Sequence, residues 1–244
     1  MKRWAIWIDI EGFSRLYLQD DWRALVPLGA LLEGIYKIGS TVCSESPNRL
    51  FAHQTGDGVV IVSECAQGSP HLPLAIAAAL LRTVLASGGV AKAGISEGEF
   101  ADIQGCYPDI IWSAMENHGT IKMGHGVLRI FPVMGSALVN AYALTKKLTG
   151  GLLLVDGPLA TSLPAGVVVS KRESDYAVID WVHFHTPELD DISANAHVSW
   201  PENPALETRL RDYALKTRPS PCQDWTNNTL ELNHCLQGAD PPIR

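Results

Sequence analysis

The sequence predicts an α+β domain in which helices pack on one face of a mainly antiparallel sheet, followed by a partly helical C-terminal extension. Three features predict it. Apolar segments of strand and helix period follow the order strand, helices, hairpin, helix, strand, helix, strand. A Gly56-Asp57-Gly58 turn separates two runs rich in β-forming residues, the mark of an antiparallel hairpin. After Pro187 the composition turns polar, with prolines at 201, 204, 219 and 221, so we expect a domain over 1–186 and an extension over 187–244.

Residues 4–9 alternate and are rich in Ile and Trp, which reads as a strand. Ser14 is expected to cap a short helical stretch, and a second helix is expected over about 21–42, where Leu25, Leu28, Leu32 and Ile35 recur at helical spacing. Pro27 fits best in a first turn, which moves the expected start toward Leu25. Asn48 closes that region, and residues 49–64 form the hairpin. The mostly apolar segment 71–87 reads as a buried helix ended by Gly88-Gly89, with a strand at 90–100 beyond it. Residues 101–126 hold four glycines and no clear period, and read as a long excursion, an arm or a lid. Strands are expected at 127–133, 152–156, 166–170 and 176–184, and helices at 135–151, 205–217 and 221–236.

Composition narrows the function classes. A hydrophobic fraction of 46% with 18% charged residues is that of a globular chain with a real core. The net charge of −7 argues against a general grip on nucleic acid. The longest apolar run, near 72–86, is interrupted by Pro73, Arg82 and Thr83, so no membrane span is expected. Asp9 and Glu11 break the apolar stretch that a signal peptide needs. Five cysteines without a CxxC pair fit reduced thiols, and a cytoplasmic location is expected.

Two acidic residues stand where apolar strands end. Asp9 closes the first strand and Asp57 sits in the hairpin turn. If the first strand lies beside the hairpin, both carboxylates meet at one sheet edge. With the Ile10 carbonyl they make a hard-oxygen site suited to Mg²⁺ carrying phosphates. Gly12, Phe13 and Ser14, opening a helix, would offer backbone N–H groups to a triphosphate. An Asp-Gly turn also forms without any ligand. Elsewhere, His183 and His185 on alternate positions of a strand could hold a transition metal, but no third ligand is signalled and an exposed strand face is the favoured reading. His118 and His125 have no visible partner, and Cys65 and Cys106 read as packing residues.

The segments "WIDIEGFS", "HQTGDG", "AGISEG" and "GSALVNAYAL", in that order, resemble the class III adenylate and guanylate cyclase catalytic domain over roughly residues 3–156. The resemblance implies a ferredoxin-like antiparallel sheet, and a two-metal Mg²⁺ or Mn²⁺ site on Asp9, Asp57 and the Ile10 carbonyl. It also implies a triphosphate loop at Gly12, Phe13 and Ser14, a ribose-holding role for Asn140, and head-to-tail homodimers with sites built from both chains.

The sequence departs from the family pattern at two places. His53 stands where purine-cyclising members carry a base-reading lysine, and Leu144 (or, one residue earlier, Ala143) where they carry an arginine that steadies the α-phosphate. The acidic or polar base-reading residue falls near Pro132–Met134, where none is evident. Loss of a preorganised cation at phosphoryl transfer costs about 10²–10³ in rate. Lys146 and Lys147 follow on the same helix; they read first as a solvated helix end, with partial compensation for the arginine by a long side chain as the alternative.

The expectation is therefore a divergent cyclase-like protein that binds a divalent metal–nucleoside triphosphate, with no conventional cyclisation of ATP. The alternatives are an active cyclase, a phosphorus–oxygen lyase, of altered base choice, and a structural interaction domain in which the aspartates serve as turn residues.

Overall fold

The structure, a computed structural model, describes residues 2–45, 49–63, 70–102, 107–116, 119–130, 133–217 and 222–235. Strand β1 (Lys2–Ile10) leads into helices α1 (Phe13–Gln19) and α2 (Asp21–Thr41), and then into the hairpin β2 (Leu50–Thr55) and β3 (Gly58–Ser63). Helix α3 (His71–Ala86) and β4 (Ala91–Glu99) complete a βαββαβ unit. An arm follows: β5 (Ala101–Asp102), α4 (Asp109–Ala114), β6 (Met115–Glu116), β7 (Thr120–Met123), β8 (Gly126–Arg129) and β9 (Val133–Met134). The chain returns through α5 (Ser136–Leu144), β10 (Leu153–Asp156), α6 (Gly157–Ala160), β11 (Val169–Arg172) and β12 (Tyr176–Ile179). It continues in α7 (Pro187–Asn195), α8 (Asn203–Asp212), a π-helical turn over Tyr213–Thr217, and α9 (Gln223–Glu231).

The main sheet has seven strands in the order β11-β12-β10-β4-β1-β3-β2. Within it β4-β1-β3-β2 are antiparallel throughout, which with their connections is the ferredoxin-like arrangement. Strand β10 joins β4 in parallel, and β12 and β11 add antiparallel strands beyond it. Alternation along β1 sorts its residues between two environments. Trp4, Ile6, Ile8 and Ile10 enter the main core with Leu28, Leu31, Leu74 and Leu81 from α2 and α3. Ala5 and Trp7 face the other way, against Ala137 and Ala141 of α5. Most helices therefore cover one face, as the sequence predicts, and α5 crosses the opposite one. Its approach depends on glycine: a Cβ on Gly94 would lie 2.3 Å from the Ala141 carbonyl oxygen, and one on Gly98 would lie 2.5 Å from Ser136 Oγ.

Helices α7, α8 and α9 bury Leu189, Ile192, Leu206, Leu210, Trp225 and Leu230 in the same apolar cluster as β1. Arg82 of α3 reaches across to this region. Its buried guanidinium donates to the carbonyls of Trp181 (3.0 Å), Val182 (3.0 Å) and Phe184 (2.5 Å).

Several elements differ from the sequence reading. Helix α1 is capped by Gly12 rather than Ser14, because the turn out of β1 needs φ of 74°, which glycine tolerates. Helix α2 starts at Asp21 and keeps Pro27 inside it, since the Asp20 carboxylate accepts the N–H groups of Trp22 (3.1 Å) and Arg23 (3.4 Å). The excursion holds regular structure: β6-β7-β8 form a small antiparallel sheet, and β5 pairs with β9. The segment 127–133 accordingly divides between two sheets. Helix α5 stops at Leu144, short of the paired glycines. Strand β12 stops at Ile179 because the Asp180 carboxylate accepts the N–H groups of Val182 and His183, both at 3.1 Å. His183 and His185 therefore lie beyond the strand, not on its face. Asn48, Cys65, Cys106, His118 and Pro132 lie outside the described residues. Among the described residues, no helix is long and apolar enough to cross a membrane.

Candidate metal and phosphate site

Strand pairing builds the site row by row. Asp9 lies opposite Lys92 on β4 and Gly58 on β3, and Gly58 lies opposite Thr55 on β2. The row below holds Gly94, Trp7, Val60 and His53. Directly opposed residues share a face, so both rows look toward α5. The hairpin turn places Asp57 beside Gly58, and hence next to Asp9. Gly58 matters for fit: a Cβ there would lie 2.8 Å from the Trp7 ring and 3.3 Å from Asp9 Oδ1.

Where α5 passes over these rows, a cavity of about 530 Å³ remains. Trp7, Asp9, Thr55 and Asp57 line the sheet side; Leu138, Val139, Tyr142 and Lys146 line the helix side. Trp7 and Tyr142 meet edge to face with ring centroids 5.0 Å apart. Lys146 Nζ sits 4.7 Å from the Tyr142 ring centroid, a cation–π contact that aims its stem along the cavity. Trp7 Nε1 is buried and has no hydrogen-bond partner among the described residues.

Charge is unbalanced at the sheet edge. Burial, then the neighbouring Asp57 and Glu11 carboxylates, push Asp9 up to about 6, against the pull of Lys146 and Lys92. Glu11 is committed elsewhere: it accepts from Trp225 Nε1 at 2.5 Å and lies 3.6 Å from Lys92 Nζ. Lys92 is itself buried and donates to the carbonyls of Thr145 (3.1 Å) and Leu148 (2.7 Å), closing the end of α5. Among the described residues, what remains facing the cavity is a carboxylate pair with one lysine across from it. Hard oxygen donors in such a pair fit a divalent cation, whose charge would relieve the repulsion.

The sequence-predicted residues divide between those at the cavity and those away from it. Asp9 and Asp57 line it together. The Ile10 side chain is buried in the core on the opposite face, which leaves only its carbonyl as a donor. Gly12, Phe13 and Ser14 follow at the same end of β1; Phe13 stacks on Tyr17 at 5.9 Å and packs against the main core, while Ser14 is exposed. His53 lies on the cavity face one row from Thr55, is not among the lining residues, and is shifted down by burial. Asn140 is exposed on α5 and does not line the cavity. Leu144 is buried against Leu152, Leu154 and Val178, so that position has no outlet to the cavity. Lys147 turns away to Asp175 at 2.8 Å.

Lys146, read from sequence as part of a solvated helix end, is the cation that lines the cavity. The signal lay in spacing: Leu138, Tyr142 and Lys146 stand four apart, on one stripe of the helix and its continuation. Trp7 was legible as a residue on the same strand face as Asp9, but its partner Tyr142 is too distant in sequence to infer.

No family model matches this chain, and no curated protein matches it. Among solved structures, the guanylyl cyclase Cya2 is similar at 16% identity, over 73% of this chain and 90% of that one, with a TM-score of 0.47. The guanylate cyclase domain of RhGC from Catenaria anguillulae, solved with GTP, is similar at 10% identity, over 73% and 95%, with a TM-score of 0.49. A bacterial light-regulated adenylyl cyclase is similar at 14% identity, over 80% and 55%, with a TM-score of 0.45. These are the domains that the sequence motifs resemble. The fold itself rests on strand order and register, and the chemistry on the residues above.

Proposed function

We propose that this chain binds a divalent metal–nucleoside triphosphate in the cavity between the sheet edge and α5. The observation that carries the reading is the meeting of Asp9 and Asp57 across β1 and β3, with Lys146 facing them. Asp9, Asp57 and the Ile10 carbonyl would hold Mg²⁺ or Mn²⁺, and the bound ion would screen phosphate charge and orient the phosphate oxygens. Lys146 attracts the phosphate chain from the helix side. The turn at Gly12, Phe13 and Ser14 presents its backbone to the phosphates. Trp7 and Tyr142 offer an aromatic wall.

On this reading the chain binds far better than it cyclises. Leu144 is walled off, Asn140 points outside the cavity, and a single flexible lysine replaces the family's planar, bidentate arginine. Pairing with a second copy belongs to the same reading and is supported by exposed apolar side chains on α1, α2 and α4: Leu18, Trp22, Tyr36 and Ile110.

The test is equilibrium binding of a fluorescent triphosphate with Mn²⁺, together with a search for cyclic monophosphate and pyrophosphate from each of the four common triphosphates. Binding that disappears in Asp57→Asn, with no product, is the expected result. Product that vanishes in the same variant would select an active cyclase of altered base choice instead. Absence of binding for every triphosphate would leave the aspartates as turn residues and end the proposal.

A further inference from the structure

A second constellation lies away from this cavity, where the chain leaves β12 and meets its own C-terminal segment. Asp180 is fully buried, and its two oxygens have separate tasks. Oδ1 accepts the backbone N–H groups of Val182 and His183. Oδ2 faces two imidazoles at once, His183 Nδ1 at 2.8 Å and His234 Nδ1 at 2.6 Å. The far nitrogen of His183, Nε2, meets Glu207 Oε1 at 3.0 Å. One ligand atom from each of Asp180, His183 and His234 falls within 4.8 Å of the other two.

We propose that Asp180, His183 and His234 form a binding site for a divalent transition ion of the zinc class, which fastens the C-terminal segment to the sheet.

Four observations support it. The donor set of two imidazoles and one carboxylate suits zinc and disfavours Mg²⁺ or Ca²⁺, which take oxygen ligands. The carboxylate of Glu207 on the far nitrogen of His183 is the arrangement that fixes the tautomer and orientation of metal-binding histidines. The frame is rigid before any ion arrives, because Arg82 pins the carbonyls of Trp181, Val182 and Phe184 around the turn that carries His183. Finally, His234 takes the left-handed conformation at φ of 50°, uncommon for a residue other than glycine, while Arg211 holds the next carbonyl, that of Cys235, at 2.7 Å.

Without an ion the cluster is held by protons. His183 sits between two carboxylates, and although burial opposes its charged form, Glu207 and Asp180 outweigh that and raise it. An ion would stand where His183 Nδ1 and His234 Nδ1 now converge on Asp180 Oδ2. Donors around a tetrahedral zinc with bonds of about 2.0–2.1 Å stand roughly 3.3 Å apart, so the imidazoles must move outward by about half an ångström. Both have room, since the His183 and His234 side chains are 28% and 43% exposed. The exposed side leaves the fourth position to water. His185, paired with His183 in the sequence reading, is not part of the set; it is 73% exposed beside Asp190 at 3.6 Å.

The experiment uses the full chain stripped with a chelator. Zn²⁺ is titrated against a chromophoric competitor, Co²⁺ is added separately to read visible ligand-field bands, and melting is followed with and without one equivalent of Zn²⁺. Expected are one tight equivalent, intense low-coordinate cobalt bands and a raised melting temperature. In His234→Gln the cobalt bands are lost and zinc affinity falls by well over tenfold; Glu207→Gln weakens it by about tenfold. Asp57→Asn leaves zinc binding unchanged. The proposal is overturned if one equivalent of Zn²⁺ does not bind, or if His234→Gln and His183→Gln both bind it as the parent does. Zinc uptake lost in Asp57→Asn but kept in His234→Gln would overturn it too, by placing the ion in the cavity.

Discussion

Asp9 carries its charge where the fold disfavours it. Its folded pKa, pushed up to about 6 by burial and then by Asp57 and Glu11, stands above the unfolded value, so the folded state holds the proton more tightly. Stability of the metal-free protein therefore falls as pH rises from about 4 through 6, by on the order of 2 kcal/mol once solvent screening at this partly exposed group is counted. Asp9→Asn is expected to raise the melting temperature at pH 8 and to leave it nearly unchanged at pH 4, measured by calorimetry without metal; an equal shift at both would contradict the assigned cause. Lys146 gives the matching prediction on the ligand side. Lys146→Met should weaken metal–triphosphate binding by about tenfold with little change in melting, whereas Lys147→Met, whose partner is Asp175 outside the cavity, should do neither. At this scale the sequence revealed the placement of the side chains unevenly. Asp9 and Asp57 were legible because a strand end and a hairpin turn fix where a residue sits. Lys146 was legible only as the less favoured of two readings, because a helix periodicity gives the stripe but not what the stripe faces. The 51-residue separation of His183 and His234 left no local mark at all.

Among elements, α5 and the turn after β12 do the most positioning. Helix α5 closes the cavity because Gly94 and Gly98 let its backbone lie against β4. Gly98→Ala must displace both the Ser136 hydroxyl and the backbone of Ala137 at the start of the helix. A loss of triphosphate affinity with a melting change under about 2 kcal/mol is expected from binding and denaturation measured together. The turn after β12 depends on Arg82. Replacing it with Met leaves three carbonyls of that turn without their donor, and should cost about 3–5 kcal/mol in urea denaturation. Periodicity made the central elements readable: β1, the hairpin, α3 and β4 lie within a residue or two of their expected ends. It failed where side chains override the pattern. Asp180 ends β12 by capturing two N–H groups, Gly12 starts α1, and the short strands of the arm fall below the length at which alternation can be seen.

At the scale of the molecule, the polar composition after Pro187 hides a structural contribution. Helices α7 to α9 each place a few apolar side chains in the main cluster, and Trp225 bonds Glu11 next to the candidate site. Burying Trp225 together with Leu189, Ile192, Leu206, Leu210 and Leu230 outweighs the charged residues that dominate the segment's average. We propose that residues 187–235 are required for the 1–186 domain to hold its ferredoxin-like sheet, so a chain ended at 186 should bind a hydrophobic dye and lose cooperative melting. The net charge of −7 and the acidic sheet edge suit the proposed cation-bridged binding better than direct capture of a polyphosphate. The most direct test is the melting temperature with Mn²⁺ and a nucleoside triphosphate, measured on the parent chain and on Asp57→Asn. At about one hundred times the dissociation constant the ligand adds about 2.7 kcal/mol, which for a chain of this size raises melting by about 5–11 °C. The account predicts that rise in the parent and none in the variant; the same rise in both would contradict it.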